Sequence, residues 1–293
     1  MKTFRCMVCL LHSCIILTLV SLASETIPPQ AEQESVEEER CEHEHSKINT
    51  EDPSPVAPGN VEIETAYSFM TANKALDEKG ETISRGYRAE NAFDVGIGVG
   101  ILEDFDAGVG MGYVTMRDND TDQETGRGFG DIGVGARWRF WRDDKYHIEF
   151  AYLQGLTVPV GNSENERELA PGQKFWSADQ RFAFCKDWPK WTLGTDFGFE
   201  IPFGEKREDC RGVASANVAA GYKVFDWLQP EIELNGSREI VNHDSASETL
   251  AVTVGVILLF GENWKFMAGA QQVLLARNAD KETSLIASLT LCW

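Results

Sequence analysis

The sequence predicts an all-β protein: a transmembrane antiparallel up-and-down β-barrel of about twelve strands, of the outer-membrane type. From residue 60 onward, apolar and polar residues alternate with a period of two, which is typical of half-buried strands. No run of eighteen apolar residues occurs beyond the N-terminus, whereas a closed barrel satisfies every backbone group between its strands. Short and long connections alternate along the chain, as they do in bacterial outer-membrane barrels.

The first 23 residues have the pattern of a secretory signal peptide. Lys2 and Arg5 precede a mainly apolar stretch over residues 6–20, and small residues follow at 21–23. We therefore expect cleavage near residue 23 and export of the mature protein. A retained single-span anchor is the alternative, which the short stretch and the acidic downstream flank disfavour.

Residues 24–59 are predicted to form an acidic, disordered linker. This range holds ten acidic residues, two basic ones and five of the ten prolines of the chain, with little aliphatic periodicity. Such a segment buries too little apolar surface to offset its ordering entropy. Within it, Cys41, His43 and His45 alternate and form a weak metal-site candidate, but a solvated linker without a fourth ligand is the favoured interpretation.

Residues 60–293 are predicted to form the barrel. The links between strands alternate in length, which places the short ones on the periplasmic side and the long ones outside. The twelve alternating segments lie near residues 60–71, 86–101, 104–117, 127–141, 145–159, 173–186, 190–203, 211–225, 227–239, 247–260, 263–277 and 282–293.

Tryptophan placement supports the same orientation. Seven of the eight tryptophans lie beside the short links or at the C-terminus, which suits a membrane interface facing outer-membrane lipid. A soluble β-sandwich would also alternate but gives no reason for this clustering. Trp293 ends an alternating strand similar to the terminal strands that the barrel-assembly machinery recognises, so we assign it as an assembly signal.

If the apolar positions face lipid, charged residues line a polar, net acidic lumen. Two interpretations stay open: a path for a small-molecule solute with a preference for cations, or a salt-bridged network that closes the lumen. The glycines of the second to fourth segments would make the wall recede or let another backbone approach it. The lumen-lining candidates are Glu62, Glu64, Arg88, Glu90, Asp94, Asp106, Asp131, Arg137, Arg139, Glu149, Asp179, Arg181, Asp196, Glu200, Lys223, Glu231, Glu233 and Lys265.

The composition excludes several function classes. A formal net charge of -20 argues against nucleic acid as a partner, and we expect no cofactor. A barrel-embedded hydrolase would need a histidine partnered with a nucleophile; His147 and Glu149 share a face, but no serine motif accompanies them, so we predict a non-enzyme. Among the mature cysteines, Cys185 and Cys210 should lie at opposite rims and form no disulfide.

Residues 128–140 (Gly-Phe-Gly-Asp-Ile-Gly-Val-Gly-Ala-Arg-Trp-Arg-Phe), together with Leu-Thr-Val-Pro-Val-Gly at residues 156–161 and Gly-Gln at 172–173, carry a resemblance to a known family. They resemble the outer-membrane transporters named for the meta-pathway (MetA-pathway) of phenol degradation. Trp138 stands where that family more often has tyrosine. The resemblance implies a twelve-strand barrel in the bacterial outer membrane and transport of small, aromatic or hydrophobic, solutes. A structural or adhesion barrel with a closed lumen is the alternative.

Overall fold

The computed structural model describes residues 47–120, 124–162, 169–173, 175–204, 210–241, 246–261 and 263–293. Within these ranges the chain forms twelve long strands and one two-residue strand. No helix in this part is long and apolar enough to cross a bilayer. The strands are β1 Val61–Leu76, β2 Thr82–Leu102, β3 Phe105–Asp118, β4 Glu124–Asp143, β5 Ile148–Val158, β6 Trp176–Asp187, β7 Trp191–Phe203, β8 Cys210–Tyr222, β9 Leu228–Val241, β10 Glu248–Phe260, β11 Trp264–Arg277, β12 Ala279–Asp280 and β13 Thr283–Cys292.

The strands close into a single antiparallel barrel. Each long strand pairs with its sequence neighbours, and β1 closes the ring by pairing with both β2 and β13. The seam runs from Glu62 opposite Cys292 to Thr71 opposite Thr283. The predicted twelve-strand up-and-down topology is therefore confirmed.

The alternation of the sequence becomes two faces of the wall. On β2, Phe93, Val95, Ile97 and Val99 are exposed on the outside. On β9, Gln229, Glu231 and Glu233 are buried on the inside while Ile232 and Leu234 are exposed. Apolar side chains thus face the surroundings and polar ones face the interior, which is the reverse of a water-soluble barrel and suits a lipid environment.

The two rims differ. Five short links, from β2–β3 to β10–β11, lie at one end, which we call the short-turn rim; the start of β1 and the end of β13 lie there too. The long connections lie at the opposite end, the long-loop rim. At that end β1, β2 and β4 extend several residues further than the alternation predicts.

Residues 47–58, which we call the inner segment, lie inside the barrel. The sequence predicts a disordered linker through residue 59, but Lys47, Thr50 and Ser54 are buried against the inner wall. The physical reason is that backbone N–H groups of the inner segment meet buried carboxylates of distant strands, as described below. Residues 24–46 of the predicted linker, and the predicted signal peptide, lie outside the described residues.

Candidate functional site: the barrel lumen

The inner segment enters the lumen at the short-turn rim, where it joins β1. The amide of Gly59 donates to the Gly100 carbonyl at 3.0 Å, and the amide of Gly100 donates to the Asn60 carbonyl at 3.0 Å. Pro58 and Gly100 form an isolated parallel bridge. These contacts hold the end of the inner segment against the inside of β2.

Two neighbouring carboxylates of β9 hold the other end. Glu233 accepts hydrogen bonds from the amides of Ile48 (2.9 Å), Asn49 (3.0 Å to each carboxylate oxygen) and Thr50 (3.4 Å). Glu231 accepts a further bond from the Ile48 amide at 3.0 Å. Glu233 is only 1% exposed, so these donors satisfy carboxyl oxygens that water does not reach.

Further wall residues bind the middle of the inner segment. Asp196 accepts from the Glu51 amide at 2.9 Å and Asp106 from the Val56 amide at 2.8 Å. The wall carboxylates therefore bind backbone donors all along the segment. Side-chain contacts add to them: the Lys47 ammonium donates to Thr192 Oγ1 at 3.0 Å, and the Ser54 hydroxyl donates to Glu149 at 2.8 Å.

Two arginines of β4 bind the inner segment or pair with carboxylates of the wall. The guanidinium of Arg137 donates to the carbonyls of Asp52 and Ser54 and lies 3.5 Å from Asp106. Arg139 pairs with Glu149 at 3.1 Å, and both side chains are buried. These interactions bridge β3, β4, β5 and the inner segment, so several predicted lumen residues are brought together in one polar network.

A second part of that network joins β6 to β7 and β8. Arg181 lies 2.6 Å from Asp196 and 3.6 Å from Asp179. The side-chain amide of Asn217 also donates to Asp196 at 3.1 Å. Asp196 therefore meets both a cation and neutral donors. Glu200 is half-buried and lies opposite Asp179 in the strand register.

Glycines shape the wall beside the inner segment. A Cβ at Gly100 would overlap the Ala57 carbonyl oxygen, and one at Gly98 would lie 3.6 Å from Val56 Cγ2. At Gly96 a Cβ would meet nothing within 4 Å. The predicted glycine wall therefore does both things that the sequence allowed: it lets another backbone approach at one end and leaves open space further along.

Two cavities flank the inner segment. The first, of about 280 Å³, is lined by the inner segment with Glu62, Glu64, Lys265 and Cys292. The second, of about 350 Å³, lies between the inner segment and the glycine wall. Its lining includes Gly96, Gly98, Gly108, Gly110, Gly133, Gly135, Gly155, Leu153, Glu51, Glu62, Glu64, Asp106, Asp179 and Arg137. Five carboxylates face one guanidinium in this second cavity.

The long-loop end of the lumen is organised by other charges. Asp131 accepts from the amides of Gly161 (2.8 Å) and Gln173 (2.6 Å), which draws the β5–β6 loop against the inside of β4. Near the same rim, Arg85 pairs with Asp118 and Asp280. Sequence reasoning did not single out those three residues.

The remaining predicted lumen residues are placed as follows. Arg88 lies 3.7 Å from Glu90 and 3.2 Å from Asp280, near the long-loop rim. Asp94 is exposed on β2, and a Cβ at Gly112 would overlap its carboxylate. Lys223 follows the end of β8 at the short-turn rim, so it lies at the mouth and not along the wall.

Neutral polar residues of the lumen were missed by the sequence reasoning, which considered only charged ones. Thr253 Oγ1 accepts from Asn49 at 2.8 Å and donates to Asn235 at 2.9 Å, and Gln271 donates to both Thr253 and Asn235. Their positions have the same parity along β9, β10 and β11 as the buried inward residues. Strand parity alone would therefore have identified them.

The described residues offer no group of three His, Cys, Asp or Glu side chains placed to hold a metal ion. The weak candidate Cys41, His43 and His45 lies outside them. His147 lies in the β4–β5 turn with a φ of 48°, and Glu149 is engaged by Arg139 and Ser54. The geometry thus assembles binding groups around a lumen.

Comparisons with known proteins agree with this architecture. A family model described as the MetA-pathway of phenol degradation matches residues 66–282. The crystal structure of the COG4313 outer membrane channel from Pseudomonas putida F1 has a TM-score of 0.74 at 16% identity and covers 84% of this chain and 100% of that chain. The β domain of the Bordetella autotransporter BrkA has a TM-score of 0.50 at 11% identity, covering 80% and 100%. Comparison with curated protein sequences gives no match. These likenesses support the outer-membrane barrel fold.

Proposed function

The chain belongs to the MetA-pathway of phenol degradation family, and from this membership we propose that it is an outer-membrane channel for small solutes. The observation that carries the proposal is the second cavity, an open space inside a closed barrel beside the inner segment. A barrel braced only for strength gains nothing from a glycine-lined recess. Glycines in a strand weaken it, so their concentration here favours a role for the space they leave.

The lining of the second cavity indicates the solute class. Its volume of about 350 Å³ is at the small end of ligand pockets. Glycine backbone, Val56 and Leu153 supply apolar contact, while the carboxylates outnumber the single guanidinium. We therefore propose small, partly apolar solutes, aromatic ones included, that are neutral or cationic.

We further propose that the protein is exported through a cleaved signal peptide and sits with the short-turn rim in the periplasm. Short periplasmic turns and longer outer loops support this orientation. Protease added to whole cells should then cut the β5–β6 loop within residues 162–170 and leave the turn after Asp187 intact. The opposite pattern would invert the proposed topology.

A side chain placed in the second cavity tests whether solutes pass through that cavity. Gly96→Leu places a side chain in the second cavity, where a Cβ meets nothing within 4 Å. The matched control is Val95→Leu on the adjacent, outward face. We expect slower solute-driven liposome swelling and lower single-channel conductance for Gly96→Leu but not for the control. Equal flux in both variants would remove the second cavity from the path.

The charge of the lumen is tested separately. Glu62 and Glu64 line both cavities, and no described hydrogen bond joins them to the inner segment. Replacing both with glutamine should lower the cation preference measured from reversal potentials, most strongly at low salt, where screening is weak. Glu231 and Glu233 are poorer choices, because they also hold the inner segment in place.

The second candidate function is a closed structural barrel. The inner segment favours it, since it lies inside the lumen and Arg137 binds it there. The ion pairs of Arg139 and Arg181 also favour it, because they brace neighbouring strands of the wall. Planar-bilayer recording separates the two candidates: a correctly folded barrel that is silent with every small solute and ion tried would favour the structural role.

A further inference from the structure

The sulfur of Cys292 is part of a disulfide bond. It is the last residue of β13, its side chain is 2% exposed, and it lies opposite Glu62 in the seam. It lines the first cavity together with the inner segment. The sulfur therefore faces the lumen at the short-turn rim, and its partner must reach that place.

Two of the other mature cysteines are excluded as partners, Cys185 because it is a thiol and Cys210 because of its position. Cys185 carries a thiol, with its sulfur 3.7 Å from Asp187 and from Thr192, which agrees with the predicted absence of a Cys185–Cys210 bond. Cys210 begins β8 at the long-loop rim, opposite Val241. The rims lie about 25 Å apart across the apolar band of a barrel, whereas a disulfide needs Cα atoms within about 7 Å.

Cys41 has the reach that Cys210 lacks. It precedes Lys47 by six residues, and six residues of extended chain span up to roughly 20 Å. Lys47 lines the same cavity as Cys292. The stretch from Lys47 to Cys41 is therefore long enough for Cys41 to reach Cys292.

We propose that Cys41 is the disulfide partner of Cys292, so that a covalent staple fixes the inner segment to the last strand. Two thiols lose two protons and two electrons, and a disulfide-donating dithiol oxidase of the periplasm takes up the electrons by thiol–disulfide exchange. The inner segment is then held covalently at both ends, by the staple at Cys41 and by its continuation into β1. Cys41 is also removed from the candidate metal ligands.

Peptide mapping of the full-length protein, purified without reductant and alkylated before digestion, is the direct test. Trypsin should release residues 41–47 joined to residues 282–293, a pair that separates on reduction, while Cys185 appears alkylated in residues 182–186. The protein should run as a monomer on a non-reducing gel. Residues 208–211 joined to residues 282–293, or a reducible dimer, would overturn the proposal.

A variant pair gives an independent readout. In Cys41→Ser, Cys292 should become alkylatable in the unfolded protein without reductant, while Cys185→Ser should leave it protected. Both replacements spare the assembly signal. Cys292 that stays protected in Cys41→Ser would assign its partner elsewhere. Neither measurement depends on whether the barrel conducts, so failure of the staple and failure of the channel proposal are distinguishable.

Discussion

Replacing Glu233 with glutamine should weaken the binding of the inner segment, because glutamine keeps the size of the side chain but cannot carry a negative charge. Glu233 accepts from the amides of Ile48, Asn49 and Thr50. A hydrogen bond to a charged group contributes about 1 kcal/mol more than a neutral one. Three such bonds together therefore lose about 3 kcal/mol. Because each 1.4 kcal/mol changes an equilibrium constant tenfold, we expect the protection of these amides against hydrogen exchange to fall roughly a hundredfold.

Hydrogen–deuterium exchange measured on peptides that cover residues 48–50 is the assay, with the protein in detergent or nanodiscs. The matched control is Asp131→Asn, which loses a carboxylate that also accepts backbone amides, those of Gly161 and Gln173. This control should speed exchange in the β5–β6 loop and leave residues 48–50 protected. Unchanged exchange at residues 48–50 in Glu233→Gln would refute the view that this carboxylate anchors the segment.

Two further predictions concern assembly and close packing. Deleting Trp293 removes its backbone hydrogen bonds with Val61 at the seam, so membrane insertion should fall more than for the outward-facing Val254→Ala; equal yields of heat-modifiable barrel would contradict this. Gly100→Ala places a Cβ against the Ala57 carbonyl, so the folded band should be lost at lower temperature, whereas Gly96→Ala, with open space at its Cβ, should behave as wild type.

The strands could be predicted because the membrane imposes one rule on all of them. Wherever the wall contacts lipid, every second residue must be apolar, as in β10 Glu248–Phe260 and β13 Thr283–Cys292, and the predicted ranges of 247–260 and 282–293 match these strands closely. Outside that band the rule lapses, because both faces meet water. This is why β2 extends from Thr82, four residues before its predicted start at residue 86.

The candidate site was only half predictable, for a related reason. Parity along the strands identifies which charges point inward, and Glu233 and Asp196 are indeed buried there. What those charges bind is set by residues far away in sequence: Ile48 and Glu233 are 185 positions apart. No local pattern reports such a contact.

The inner segment also shows why charge composition misleads. An acidic segment inside an acidic lumen should be repelled if side chains alone are considered. The wall carboxylates, however, bind the backbone N–H groups of the segment, as Asp196 does at Glu51. Burial raises the pKa of the Glu51 side chain, and the nearby Arg181 and Arg137 offset part of that effect. Every residue except proline carries a backbone donor whatever its side chain, so a composition that predicts a solvated linker is equally compatible with a segment bound by buried carboxylates.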